Sequence, residues 1–152
     1  MRRDATTPGC DDRIDLAAVA EDKDLIVCSD EIHCDLLLDK DARHIPYGAL
    51  SPEAAERSAV MMAPSKTFNI AGAHSGNVII ADEVLRKRFA ERMMAMGISP
   101  NSFGLFMAEA AYSPEGAAWV DELTAYLDEN RKIFDAGINA IPGLRSMPLE
   151  AM

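Results

Sequence analysis

A lysine between an apolar run and a small-residue loop is the residue of this chain best suited to covalent chemistry. Lys66 lies in the segment MMAPSKTFNIAG at 61–72, four residues after the end of the apolar run Ala59–Met62. Because this run has the length of a buried strand, Lys66 is expected on the loop that follows the strand. Open α/β sheets bind their ligands at such loops. A lysine there can form a Schiff base with a carbonyl group, although a lone lysine in a loop is more often a surface residue.

A polar cluster follows a second apolar run. Leu25–Cys28 is apolar without alternation, as in a strand of a parallel sheet covered on both faces, and Ser29–Asp35 comes next. If the two strands are parallel neighbours, Asp30 and Lys66 lie at the same edge. They could form an exposed ion pair worth about 1 kcal/mol or less. They could instead anchor pyridoxal phosphate, which needs a lysine for its aldehyde and an acid for its ring nitrogen.

The same cluster contains ligand types for a metal ion. Glu31, His33 and Asp35 alternate and would share one face of an extended segment. Their spacing matches no specific zinc pattern, so no metal site is predicted, and a polar loop after a strand is the simpler alternative. Cys28 is predicted to be a buried small apolar residue.

The patterns around these loops predict an α/β fold with one narrow sheet. Residues 14–20 have helical spacing, a third strand is expected at 77–81, and Ser51 and Pro52 begin a short helix that ends near residue 57. Three longer helices follow, at about 83–96, 103–112 and 114–140, and residues 145–147 could begin a further strand. The predicted fold class is therefore α/β, with short, mostly parallel strands followed by three helices.

Two of these helices carry apolar residues that are expected to be buried. On the first, they are Leu85, Phe89, Met93 and Met96. On the last and longest, they are Trp119, Leu123, Tyr126, Leu127, Ile133 and Phe134.

Composition narrows the class of protein. A chain of 152 residues can build one substantial core. Its net charge of −10 argues against a nucleic-acid partner and against docking on anionic lipid. No apolar run approaches the roughly 20 residues of a membrane helix, and no secretory signal is recognised. Three cysteines without paired spacing indicate reduced thiols and a cytoplasmic protein.

Several motifs in order resemble the class I/II aminotransferase superfamily, and more closely its cystathionine β-lyase branch. The resemblance runs from about residue 25 to the C-terminus and does not clearly include residues 1–13, which are expected to be an irregular lead-in. The motifs that carry it are Asp30–Asp35, Arg43–Pro46, Ala63–Gly72, Asn101–Gly104, Glu109–Tyr112 and Asn130–Arg131.

The resemblance implies a cofactor, pyridoxal 5′-phosphate, and a role for each matching position. Lys66 would form the Schiff base and carry the proton at the substrate Cα, and Asp30 would pair with the ring nitrogen. His33 stands where relatives often have a tyrosine near the ring hydroxyl, and Ser65 would reach the phosphate. Thr67 and Asn69 would only shape the loop.

Some positions depart from the family pattern. Many aminotransferases have a serine three residues before the lysine and an arginine eight residues after it, both toward the phosphate. Ala63 and His74 occupy these places here. Residues 14–152 resemble part of the large domain of a pyridoxal-phosphate protein of fold type I, truncated at both ends. The missing parts would carry a phosphate loop, an aromatic residue that stacks on the ring, an asparagine at the ring hydroxyl and a substrate-binding arginine.

The implied function is a C–S β-lyase that acts on sulfur-containing amino acids and is incomplete or inactive as this isolated chain. An aminotransferase and a non-catalytic fragment remain the alternatives. The resemblance further implies an amino-acid substrate and a homodimer in the full-length family.

Overall fold

A computed structural model describes residues 10–39, 41–147 and 149–151, with side chains from residue 16 onward. These ranges contain three strands and six α-helices, the last three of them consecutive, with 3-10 turns at Tyr47–Ala49 and Ala71–Ala73. The elements are α1 (Cys10–Asp22), β1 (Val27–Asp30), α2 (Pro52–Glu56), β2 (Ser58–Met62), α3 (Pro64–Thr67), β3 (Asn77–Ile79), α4 (Glu83–Ala95), α5 (Ser102–Ala111) and α6 (Pro114–Asn139).

The sheet has the order β1-β2-β3. β1 and β2 are parallel, with Val27 opposite Ser58 and Asp30 opposite Met61. β3 runs antiparallel to β2, with Val60 opposite Ile79. The α/β class and the three helices after the sheet are confirmed, whereas only one of the two strand pairings is parallel.

The predicted first strand and its burial need correction. β1 begins two residues later than expected, and Leu25 and Ile26 are about half exposed, at 50% and 56%. Cys28, predicted to be buried, is exposed. Side chains alternate between the two faces of a strand, and no described element covers the face that carries Cys28 and Asp30.

The start of the chain also differs from the expectation. Residues 1–9 of the predicted irregular lead-in lie outside the described residues, but residues 10–13 belong to helix α1. Two aspartates at 11 and 12 favour a helix start because acidic residues complement the helix dipole there. At the other end, the described residues of 145–147 form no strand, and Ala151 instead makes a single antiparallel bridge with Leu37.

Local sequence chemistry sets the helix starts. The side chains of Ser51, Asp82, Asn101 and Ser113 each accept a hydrogen bond from the backbone N–H three residues later, at 2.6–3.1 Å. These N-caps satisfy donors that have no partner inside the helix. The predicted starts of α2, α4 and α6 are confirmed on this basis.

The apolar faces predicted to be buried are largely uncovered. On α4, Phe89 and Met96 are exposed and no residue is fully buried. On α6, Trp119, Tyr126, Ile133 and Phe134 are 43–70% exposed, while Leu123 and Leu127 are half-buried. Burial of a helix stripe requires a second element to pack along it. Within the described residues, these faces are covered only in part, as where Phe68 stacks on Trp119.

The core lies around β2 and the loops beside it. Val60 in β2, Tyr47, Leu36 and Leu38 are at most 5% exposed. Ser58 and Thr67 are buried polar residues at either end of the β2–α3 segment, each 1% exposed. The best-packed part of the chain therefore surrounds the two loops in which chemistry was predicted.

Among the described residues, no helix is long and apolar enough to cross a membrane.

Candidate cofactor-binding site

Parallel pairing places Asp30 and Lys66 at the same edge of the sheet. Asp30 is the last residue of β1 and lies opposite Met61, one residue before the end of β2. Lys66 lies in α3, which starts at Pro64, two residues after the end of β2. The predicted lysine loop is thus partly a short helix, because Ala63 is extended and Pro64 at the first helical position presets its geometry.

The side chains of Lys66 and Asp30 do not form an ion pair with each other. Both Lys66 and Asp30 are exposed. In the part of the chain that the structure describes, the Lys66 ammonium has no hydrogen-bond or ion-pair partner. The Asp30 carboxylate accepts one long hydrogen bond, 3.3 Å, from the Ile32 N–H. The ion-pair interpretation of these residues is therefore wrong for this structure, and an amine and a carboxylate remain available at one edge.

A buried threonine fixes the helix that carries the lysine. The Thr67 hydroxyl donates to Asp35 Oδ2 at 2.9 Å, and Thr67 is only 1% exposed. Consecutive residues in a helix point about 100° apart, so anchoring Thr67 inward leaves Lys66 directed away from the core. The bond also joins α3 to the loop after β1.

Glu31 is the principal residue that sequence reasoning misjudged. It was treated as part of a polar loop or a weak metal-ligand set, but it is 7% exposed. Its carboxylate accepts from Ser29 Oγ and Tyr47 N–H, both at 2.8 Å, and lies 2.6 Å from His44 Nε2. Burial by itself would raise the pKa of Glu31, but the hydrogen bonds from Tyr47, His44 and Ser29 outweigh it and lower that pKa. The paired motifs at 30–35 and 43–46 could have indicated this contact.

The remaining predicted site residues differ in their exposure. Ser65 is half-buried in the first turn of α3, whose N-cap, Ala63, supplies no side-chain hydrogen bond. His33 is exposed in the turn after β1. His74 is also exposed and ends the 3-10 turn in a left-handed conformation, with φ of 47°.

Helix α5 supports the far end of the lysine loop. The Asn101 side-chain amide donates to the carbonyl of Ala73, and its oxygen caps α5 by accepting from Gly104 N–H at 2.7 Å. A Cβ at Gly104 would lie 2.7 Å from the same Ala73 oxygen. The motif Asn101–Gly104 therefore lets α5 approach the backbone of the loop closely.

A cavity of about 340 Å³ lies beside the loops, lined by Asp35, Phe68, Tyr112, Ala117, Val120 and Asp121. Phe68 stacks on Trp119 with ring centroids 5.4 Å apart. Burial and the Asp35 carboxylate raise the pKa of Tyr112, against a hydrogen bond from Asn77. The sequence motif that includes Tyr112 was noted, but its position beside Asp35 depends on the packing of α5 and α6.

The chemistry of these groups suits pyridoxal phosphate better than a metal ion. Among the described residues, the Lys66 amine has no partner and the Asp30 carboxylate has no cationic partner. Ser65 offers a hydroxyl at a helix start whose N-cap makes no side-chain hydrogen bond. No cluster of three or more histidine, cysteine or acidic side chains among the described residues could hold a metal. Burial and the neighbouring Asp35 raise the pKa of Cys34 to about 11, so its thiol is a poor nucleophile or ligand near neutral pH.

Known proteins resemble this chain in both sequence and structure. The chain is 36% identical to the cystathionine beta-lyase PatB of Bacillus subtilis (strain 168) over 143 residues. The aligned region covers 93% of this chain and 36% of PatB. The structure matches that of OvoB with a TM-score of 0.86 and 38% identity, over 96% of this chain and 40% of OvoB. It matches cystalysin from Treponema denticola, which contains a pyridoxal 5′-phosphate cofactor, with a TM-score of 0.85 and 28% identity, over 93% of this chain and 36% of cystalysin.

The chain therefore spans less than half the length of these relatives. The sequence model of the family described as aminotransferase class I and II matches residues 4–151, which extends the predicted region of resemblance toward the N-terminus. With this match over nearly the whole chain, the protein belongs to the class I and II aminotransferase family.

Proposed function

We propose that this chain contributes the cofactor-anchoring part of a pyridoxal-phosphate-dependent C–S β-lyase. The observation that carries the proposal is that the Lys66 amine, which has no partner among the described residues, and the Asp30 carboxylate lie at the same edge of two adjacent parallel strands. The similarity to a cystathionine beta-lyase supports the lyase branch, and the cofactor bound by cystalysin supports the choice of cofactor.

Each residue has a distinct task in this proposal. Lys66 would hold the cofactor through its amine, which could then carry the proton at the substrate Cα. The Asp30 carboxylate would favour a protonated ring nitrogen. Ser65 would donate to the phosphate, and His33 would serve the ring hydroxyl. When bound, the cofactor supplies an electron sink for the pair released at Cα.

The proposed substrates are sulfur-containing amino acids such as cystathionine. β-Elimination with water releases a thiol, pyruvate and ammonia, whereas an aminotransferase would convert an added keto acid into an amino acid. The family description includes aminotransferases, so the products decide between the two activities. A homodimer and a cytoplasmic location are part of the same proposal, and sedimentation of the purified protein tests the dimer.

The first test is a titration of the purified chain with pyridoxal phosphate. We expect a weak absorption band of lysine-bound cofactor that Lys66→Ala abolishes. Lys132→Ala, which changes an exposed lysine on α6, should keep the band. A band that survives Lys66→Ala, or no band at any cofactor concentration, would contradict this chain's role in cofactor binding.

A second measurement concerns turnover. Because the chain spans 36% of the length of PatB, we expect no rapid release of pyruvate from cystathionine by this chain alone, since catalysis requires a fully positioned cofactor. Rapid, Lys66-dependent release would show that residues 1–152 suffice and would overturn this expectation.

A further inference from the structure

We propose that Glu31 is a positioning residue that holds Asp30 at the edge of the sheet. The inference rests on the proposed function, in which Asp30 meets the cofactor ring. Glu31 immediately follows Asp30 and is buried, whereas Asp30 is exposed. Because successive side chains of an extended segment point to opposite faces, fixing Glu31 inward directs Asp30 outward.

Hydrogen bonds connect Glu31 to three segments of the chain. Its N–H donates to the carbonyl of Met61 in β2 at 2.8 Å and so continues the parallel ladder past Asp30. Its carboxylate accepts hydrogen bonds from the Ser29 hydroxyl in β1 and from the Tyr47 N–H, and it lies against the His44 ring, which like Tyr47 belongs to the segment after the turn. Tyr47 is itself 3% exposed, so the carboxylate is bonded to a rigid part of the core.

These contacts resist rotation of the Glu31 carboxylate and opening of the turn after β1. The Ser29 and Tyr47 bonds share Oε1, whereas His44 lies against Oε2, so rotation of the carboxylate breaks bonds on both sides. The Glu31 carbonyl also accepts from Cys34 N–H at 3.0 Å and closes the turn after β1. Loss of the side chain would therefore free the turn, together with the Asp30–Ile32 bond that orients the Asp30 carboxylate.

The test compares Glu31→Ala with Asp82→Ala. Asp82 is also a carboxylate that accepts from a backbone N–H, but it caps α4. Hydrogen exchange of the Ile32 and Cys34 amides is measured by NMR under conditions that give both variants the same free energy of unfolding. We expect these two amides to exchange about tenfold faster in Glu31→Ala than in Asp82→Ala, because the turn opens locally. Equal rates would overturn the proposal.

Rescue by a conservative variant separates positioning from general stability. Glu31→Gln retains an oxygen for Tyr47 N–H and should restore most of the protection. If Glu31→Ala does not fold, His44→Ala removes one of the three side-chain partners and should accelerate the same amides by about threefold. Unchanged rates in His44→Ala would count against the proposal.

Cofactor titration then connects the positioning to the site. We expect the Kd for pyridoxal phosphate to rise about tenfold in Glu31→Ala and to stay near the wild-type value in Asp82→Ala. If wild-type protein gives no Lys66-dependent band, the proposed function fails, while the amide exchange still decides whether Glu31 positions Asp30.

Discussion

At the residue scale, the bond between Thr67 and Asp35 joins helix α3 to the loop after β1. Thr67 is nearly inaccessible, and within the described ranges its hydroxyl has one partner, Asp35 Oδ2 at 2.9 Å. Asp35 is exposed, so water can solvate its carboxylate if the bond is lost, and the net contribution of such a bond is about 0.5–1.5 kcal/mol. This single contact therefore affects both the stability of α3 and the direction of Lys66.

Thr67→Val keeps the shape of the side chain and removes the hydroxyl. We expect the free energy of unfolding to fall by about 0.5–1.5 kcal/mol and the affinity for pyridoxal phosphate to fall with it, because α3 is released from the loop after β1. Thr124→Val is the matched control, since its hydroxyl only bonds backbone carbonyls within α6. Urea unfolding of both variants checks the difference, and equal effects would contradict the assigned role.

At the scale of elements, α5 is placed by its contact with the lysine loop rather than by an apolar stripe. Its residues Phe103 and Phe106 are 77% and 70% exposed, but Gly104 is buried against the carbonyl of Ala73. Glycine is required here by close approach, because any Cβ would meet backbone that cannot rotate away.

Gly104→Ala should therefore separate α5 from the loop. We expect a loss of about 1–3 kcal/mol, the usual cost of overpacking. Gly137→Ala in α6 is the control, because a Cβ there meets nothing within 4 Å. Replacing an open helical glycine should stabilise the chain by about 0.4–1 kcal/mol. Thermal unfolding of the two variants should thus give shifts of opposite sign, and a destabilised Gly137→Ala would show that α6 is strained elsewhere.

At the scale of the whole molecule, large apolar side chains remain uncovered on several helices. They include Phe103, Phe106, Tyr126, Ile133 and Phe134, each more than 60% exposed. Apolar surface of this extent is typical of faces that contact another polypeptide.

We therefore expect the purified chain to bind a hydrophobic dye and to elute from gel filtration as more than one species. Changing Phe103 and Phe106 together to Ser should reduce both signals while altering the free energy of unfolding by less than about 0.5 kcal/mol, since both side chains are exposed. If the wild-type chain elutes as a compact monomer, or if the double variant shows the same dye binding and elution as the wild type, the expectation is contradicted.

The sequence by itself determined the features that depend on neighbours within a few residues. The caps at Ser51, Asp82 and Ser113 follow from short polar side chains that reach the N–H three residues on. The apolar runs before Asp30 and Lys66 indicated two strand ends, and the ordered motifs around them predicted the family that the comparison over residues 4–151 shows.

Only the tertiary structure decided which side chains are buried and which loops are joined. Glu31 lies inside the core and Cys28 outside it, against expectation, because burial depends on residues 44–47 and on the absence of a described cover over one face of β1. The bonds from Thr67 to Asp35 and from Asn101 to Ala73 span 32 and 28 residues. Local pattern cannot specify such contacts, since they exist only after distant segments have packed.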